Sequence, residues 1–295
     1  MKQIPNFTIS KVRGNDHSPD DIIVHRFQEY LAKRGFLFQP HRHTFYHLVY
    51  FTKGTGKHYI DFVSFPVVPG QIYFMNPGQV HHWEFSPDVD GYIINFSDQF
   101  FRMLPDPEYL SQFFFFSGNC EEQVVQLSAN AQQEVGQLFT RILTELAARQ
   151  AHMIDMARTL LVQLFIAVSR DAGPEKGNPI TRPGMQLIRN FRKLVEQHFA
   201  EKRLPKEYAA LLFVTPNYLN ALCKEVLGMP AGEVIRERVL LEAKRLLVNA
   251  GMNINEIAYQ LNFQDNSYFS RFFKKYNGVT PEEFRRQYHV EGMSG

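Results

Sequence analysis

The sequence predicts an α+β chain of two domains, an N-terminal β-barrel with helices packed on it and a C-terminal all-α domain assembled by duplication. Three observations carry this expectation. Short β-rich runs broken by Gly and Pro fill residues 35–97, apolar residues recur at helical spacing from about residue 121, and the C-terminal part repeats itself. At 295 residues the chain is long for one compact domain and suits two. With 44% hydrophobic residues, 21% charged residues and 27 Phe, it can build sizeable cores, which excludes a disordered or low-complexity protein.

The β runs are FLFQP (36–40), FYHLVYF (45–51), HYIDFV (58–63), QIYFM (71–75) and GYIINFS (91–97). Turn signals separate them at Lys53-Gly54-Thr55-Gly56, Pro69-Gly70 and Asn76-Pro77-Gly78, the spacing of an all-β sandwich or barrel. From Glu121 to about Arg170 the pattern turns helical, with one stripe at Leu138, Ile142 and Leu146 and another at Leu160, Leu164 and Val168. Each stripe suits a partner helix in a homodimer, or the chain's own barrel. Residues 171–184, DAGPEKGNPITRPG, hold three Pro and three Gly and read as a linker. The expected division is thus a barrel domain over 1–170, a linker over 171–184 and a helical domain over 185–290. Within the last, helices are expected over Ile188–Phe199 and Val234–Val248.

The duplication is explicit. Ala209, Leu212 and Val214 match Ala258, Leu261 and Phe263 at an offset of 49, and Leu219, Leu222, Lys224 and Gly228 match Phe269, Phe272, Lys274 and Gly278 at an offset of 50. Each copy reads as a helix with a small Ala at a tight crossing, a short turn, and a second helix with apolar positions three apart. That is a helix-turn-helix, whose second helix buries one face and offers the other to a major groove. Thr215 and Pro216 start the second helix of the first copy, and Asp265 caps that of the second.

The run Lys244-Arg245-Leu246-Leu247, Ile254-Asn255-Glu256-Ile257-Ala258, Leu261-Asn262-Phe263, Tyr268 to Lys274 and Gly278-Val279-Thr280-Pro281 resembles the signature of the AraC family of regulators over roughly residues 188–288. The resemblance implies seven helices in which two helix-turn-helix units, joined by a long central helix, enter successive major grooves of double-stranded DNA. It implies base or backbone contacts from Asn217, Asn220, Ala221 and Lys224 in the first copy, and from Asn266, Ser267, Ser270, Arg271, Lys274 and Lys275 in the second. Asn pairs bidentately with adenine and Arg with guanine, whereas Ala221 offers only an apolar contact. Lys224, Lys274, Lys275, Arg285 and Arg286 suit phosphates, which position without specifying sequence. The turn position often held by Gly in the family is Phe213 in the first copy and Asn262 in the second, a departure that bears on the turn geometry.

Pro40-His41-Arg42-His43, His47 and Pro77-Gly78-Gln79-Val80-His81-His82 resemble the two motifs of the cupin fold, so the barrel is expected to be cupin-like. His41, His43 and His81 fit three positions that hold a metal in metal-bearing cupins, and His47 stands where a Glu is usual. The favoured reading is nonetheless a domain with no metal, no cofactor and no catalytic residue, in which His43, Tyr46, Tyr59, Phe74, His81 and Trp83 line a pocket for a small-molecule effector, sugars being a common class among relatives. The alternative is a metal-dependent cupin enzyme fused to a DNA-binding domain. Clustered histidines also raise the expectation of pH dependence near neutrality.

Charge agrees with a polyanion-binding C-terminal half. Residues 1–171 hold 14 Lys and Arg against 17 Asp and Glu, and residues 172–295 hold 18 against 13. No apolar run is long enough to span a membrane, and MKQIPNFTISKVRGNDHSPDD lacks the apolar core of a secretory signal, which points to a cytoplasmic chain without a membrane partner. Cys120 and Cys223 stand alone and support neither a disulfide framework nor a CxxC site.

Overall fold

The structure is a computed structural model that describes residues 4–14, 19, 21–34, 38–101, 109–116, 120–173, 183–248 and 251–291, the side chains of 183 and 289–291 excepted. It divides into two compact units, Pro5–Pro179 and Ile180–Gly295, the latter grouped with the residues up to Ile4. Most of the expected linker, residues 174–182, lies outside the described residues.

The first unit runs β1 (Asn6–Phe7), α1 (Ile9–Arg13), β2 (Ile22–Arg26), α2 (Phe27–Ala32), β3 (His41–His43), β4 (Tyr46–Lys53), β5 (Gly56–Ile60), β6 (Val63–Val67), β7 (Gln71–Met75), β8 (Val80–Phe85), β9 (Asp90–Phe96), β10 (Val124–Gln126), α3 (Ala129–Ala148) and α4 (Met153–Asp171). The strands form two five-stranded sheets, β1-β3-β8-β5-β6 and β10-β7-β4-β9-β2. Ile60, Val67 and Trp83 of one sheet share a buried cluster with Val49, Tyr73 and Ile93 of the other, so the two sheets close on a common interior. Gly91 lets β9 pass close to β4: a Cβ there would lie 1.9 Å from the Tyr50 carbonyl oxygen.

Three elements differ from the sequence expectation. Of the run FLFQP, residues 36–37 lie outside the described residues and 38–40 form no strand, the next strand being His41–His43. HYIDFV is not one strand, because Asp61 and Phe62 take φ of 51° and 114° and turn the chain so that Ile60 pairs with Val63. Positive φ at both central residues suits a two-residue hairpin turn. Val124–Gln126, expected as the start of a helix, is instead an edge strand pairing Val125 with Ile72 of β7. Its two valines suit a pleated surface, and the helix begins only where the Ser128 hydroxyl accepts the Ala131 N–H at 3.3 Å.

Helices α3 and α4 cover the outer face of the second sheet. Leu138, Ile142, Leu160, Leu164 and Val168 are buried in one core with Leu48, Ile72, Phe74, Ile94 and Phe96. Both apolar stripes thus serve the chain's own barrel. Phe165 is the hub, its ring within 6.2 Å of those of Phe74, Phe96, Phe101, Phe113, Phe115 and Phe116.

The second unit has seven helices among its described residues: α5 (Pro183–His198), α6 (Pro205–Leu211), α7 (Pro216–Leu227), α8 (Ala231–Leu247), α9 (Ile254–Gln260), α10 (Asn266–Asn277) and α11 (Pro281–Glu291). The long α8 packs against each of the other six. Its Ile235, Val239, Ala243, Leu246 and Leu247 are buried, the stripe that a 3.6-residue period places on one side. Caps fix the helix starts. Asn253 and Glu256 exchange hydrogen bonds with each other's backbone N–H at 2.9 and 2.7 Å, and Thr280 and Glu283 do the same at 3.2 and 2.8 Å.

Candidate functional site

The duplicated turns have one geometry. In the first, α6 ends, Phe213 takes φ 56° and the Val214 N–H reaches back to the Ala209 carbonyl at 3.0 Å. In the second, α9 ends, Asn262 takes φ 56° and the Phe263 N–H reaches the Ala258 carbonyl at 2.9 Å. A left-handed residue closing such a bond is how helices commonly stop. The departure from Gly therefore leaves the turn intact. Asn tolerates this conformation through its short polar side chain, whereas Phe adopts it at a steric cost. Thr215 Oγ1 and Asp265 Oδ1 then accept the N–H groups of Tyr218 and Tyr268 at 3.2 and 2.7 Å, starting α7 and α10.

On each second helix the inward face is filled by Leu219, Leu222 and Cys223, or by Phe269 and Phe273. What remains outward is a matched stripe. Asn217, Ala221 and Lys224 are exposed on α7, and Ser267, Arg271 and Lys274 are exposed at the equivalent positions of α10, with Lys275 beside them. Ser270 is half-buried and donates to Asn266 Oδ1 at 3.2 Å, which partly occupies both. Two assignments need correction. Asn220 is half-buried and its Oδ1 accepts the Ala231 N–H at 3.1 Å, so it caps the start of α8 instead of facing outward. Arg285 donates to the carbonyls of Leu247 and Met252 at 3.0 and 2.7 Å, satisfying the C-terminal end of α8 rather than offering a free charge.

Two exposed aromatics were not singled out as site residues from the sequence, Tyr218, 51% exposed, and Tyr268, 53%, at equivalent positions beside the polar stripe, while Phe213, noted there for its turn, is 95% exposed at the tip of that turn. The offset of 50 aligns the two tyrosines and was the signal available. Within the helical unit, Arg203 ties the start of the first helix-turn-helix to the turn of the second: its guanidinium lies 4.2 Å from the Phe263 ring centroid and donates to the Leu261 carbonyl.

In the barrel the structure brings together His43, His81 and Trp83, all buried in the interior. It does not bring Tyr46, Tyr59 or Phe74 to them. Tyr46 stacks on Phe96 at 5.0 Å and Phe74 on Phe115 at 3.8 Å, both on the helix-covered outer face, and Tyr59 stacks on His82 at 4.3 Å and donates to Glu84 at 3.2 Å. The reason is register, since neighbouring residues of a strand point to opposite faces. His41, His47 and His58 join the interior instead, making five buried histidines. His58 lies in the strand run HYIDFV and was missed for want of any motif around it.

These imidazoles are neutral. Burial pushes His41 down to about 4 and His47 to about 3, and holds His43, His58 and His81 well below the ordinary histidine value. The pH dependence expected near neutrality is therefore displaced to acid. Tautomers follow from the partners. His41 Nδ1 donates to the Gln39 carbonyl at 2.7 Å. His47 Nδ1 donates to Asn95 Oδ1 at 2.7 Å, while the Asn95 amide donates to the Tyr30 hydroxyl at 3.0 Å. Both Nε2 atoms are then lone pairs, and neither has a partner among the described residues, nor does the Trp83 indole N–H.

Comparison with known proteins places both halves. A family model described as an AraC-like ligand binding domain matches residues 28–164, and one described as a helix-turn-helix domain matches residues 208–287. The chain is 24% identical to the HTH-type transcriptional activator RhaS of Pectobacterium atrosepticum over 85% of its own length and 88% of that protein. It is 32% identical to the uncharacterized transcriptional regulatory protein YesN of Bacillus subtilis over 57% of its own length, and spans less than half of that relative, 43%. Among solved structures it is similar to the C-terminal domain of AraT, a response regulator from Geobacillus stearothermophilus, at 31% identity over 34% of this chain and 84% of that one, with a TM-score of 0.33.

Proposed function

This chain belongs to the AraC family of transcriptional regulators, with a ligand-binding domain and a helix-turn-helix DNA-binding domain, and we propose that its two helix-turn-helix units read two successive segments of one DNA site. The observation that carries this reading is the matched outward stripe, Asn217, Ala221 and Lys224 against Ser267, Arg271 and Lys274. Arg271 supplies a bidentate contact to guanine, Asn217 to adenine, and the lysines neutralise phosphates. Tyr218 and Tyr268 add hydroxyls at the edge of each groove. Selection of random duplex DNA by the purified chain tests this. Two preferred blocks centred about 10 base pairs apart support it, and retention without sequence preference contradicts it.

The barrel is proposed to take a small polar effector, polyhydroxylated molecules such as sugars being one class that suits unpartnered imidazole lone pairs and an indole N–H. An effector acts only through unequal affinity for two arrangements of the chain. Melting of the full chain against a metabolite panel tests it: a ligand at 100 times its Kd adds about 2.7 kcal/mol of stability, and no shift with any compound argues against this role. A second copy of the chain would double the number of half-sites engaged, which sedimentation of the free protein and of its DNA complex measures.

A further inference from the structure

We propose that the DNA site of this chain is chemically asymmetric: Ala221 makes α7 a reader of thymine, through an apolar contact with its 5-methyl group, where Arg271 makes α10 a reader of guanine. The inference rests on the reading that each helix-turn-helix unit enters a major groove, and deepens it by naming the base that the first unit selects.

The two positions are equivalent by structure as well as by sequence offset. Helices α7 and α10 are both 12 residues long. Each starts where a side-chain oxygen, of Thr215 or Asp265, accepts the N–H of the residue three further on. Each ends at a left-handed glycine, Gly228 or Gly278, whose N–H reaches the Lys224 or Lys274 carbonyl at 3.2 or 2.9 Å. Counted from the first residue of its helix, each of Ala221 and Arg271 is the sixth, and both are exposed. Where the second unit has a guanidinium to aim at a base edge, the first has a methyl group.

The neighbours of Ala221 decide what that methyl can select. Asn217 and Lys224 are exposed one turn to either side of it, and Tyr218, three residues before, is exposed as well. The amide of Asn220 does not reach a base in its place, because its Oδ1 accepts the Ala231 N–H at 3.1 Å. The middle of the outward face is thus a methyl group beside an aromatic ring. The 5-methyl of thymine is the apolar group among the base edges of the major groove. Guanine or cytosine set against Ala221 would lose water from its acceptors or amino group and gain no partner, a cost that the thymine methyl avoids.

Charge divides the two helices in the same way. At matching positions α10 exposes Arg271, Lys274 and Lys275, and α7 exposes Ala221, Lys224 and Glu225. Cations released from the phosphates drive binding by the former set, whereas the charges of Lys224 and Glu225 cancel. The grip of α7 on DNA therefore depends on base contacts more than that of α10 does, and one methyl group is a measurable share of it.

The test starts from the duplex that the full wild-type chain selects, and takes as the first block the one that Asn217→Ala erodes. Thymines of that block are replaced one at a time by deoxyuridine, which pairs with adenine in the same way and lacks the methyl group alone. One of these replacements should weaken binding by the wild type about 3- to 10-fold. Ala221→Gly, which removes the methyl group on the protein side, should abolish the difference between thymine and deoxyuridine at that position. Ala221→Arg, which copies Arg271 and puts a good helix former at an exposed position, should change the preferred base there from thymine to guanine and leave the second block as it was. If Ala221→Gly loosens α7, the deoxyuridine series with the wild type decides the matter. A first block without thymine, deoxyuridine that binds as well as thymine throughout that block, or an Ala221→Arg motif that keeps thymine overturns the proposal while leaving two reading units in place. DNA retained with no motif at all defeats the two-unit reading itself, and this proposal with it.

Discussion

Replacing Phe213 with Gly should stabilise the helical unit, an unusual result for deleting an aromatic side chain. Phe213 sits at φ 56° and is 95% exposed, so the substitution gives up almost no buried area. A left-handed backbone costs a residue with a Cβ about 1–2 kcal/mol, and the wider freedom of Gly in the unfolded chain returns about 0.5–1 kcal/mol of that. The net gain is about 0.5–1 kcal/mol, or roughly 2–8 °C in Tm for a unit of this size. Asn262→Gly at the equivalent turn should change little, because Asn already tolerates φ 56°. Far-UV circular dichroism of the full chain follows the helices, while Trp83, the single tryptophan, reports separately on the barrel. A Phe213→Gly protein that melts lower than the wild type, or an Asn262→Gly protein that gains as much, would refute the reasoning.

Other substitutions separate the parts of the account. Lys274→Ala should lower affinity for all DNA sequences alike and flatten the dependence on salt by about one unit of slope; an unchanged slope in a salt titration would show that Lys274 meets no phosphate. Phe165→Ala should destabilise the barrel unit by about 3–5 kcal/mol, since a buried ring among six others leaves a cavity, and urea unfolding followed by Trp83 fluorescence measures it. Arg203→Ala should cost the helical unit about 1–3 kcal/mol through loss of the Leu261 hydrogen bond and the Phe263 contact. A wild-type melting curve for that variant would mean the two helix-turn-helix units do not depend on the bridge.

The helical unit was legible because its determinants are local. Ala209 and Ala258 at the crossings, Thr215 and Asp265 as caps, and apolar positions three apart each act within one or two turns of chain. The fine assignment failed where a side chain answers to a distant element. Asn220 looked like an outward base reader, but the free N–H of Ala231, eleven residues on, claims its oxygen, and Arg285 is claimed by the end of α8. In the barrel the histidines were visible and their faces were not. A one-residue shift of register exchanges inside for outside, which is why Tyr46 and Phe74 belong to the helix-covered core while His58 joins His81. The Asp61-Phe62 turn was hidden for a related reason, since neither residue is a Gly and the run around them reads as unbroken strand.

The most direct test of the central claim is to select random DNA with three proteins, the wild type, Asn217→Ala and Arg271→Ala. Two units reading successive segments predict two blocks for the wild type, and each variant should lose preference in a different block while keeping the other, at a cost of about 1–3 kcal/mol in specific affinity. If both variants erode the same block, or neither changes the motif, the matched stripes on α7 and α10 do not each read their own part of the site.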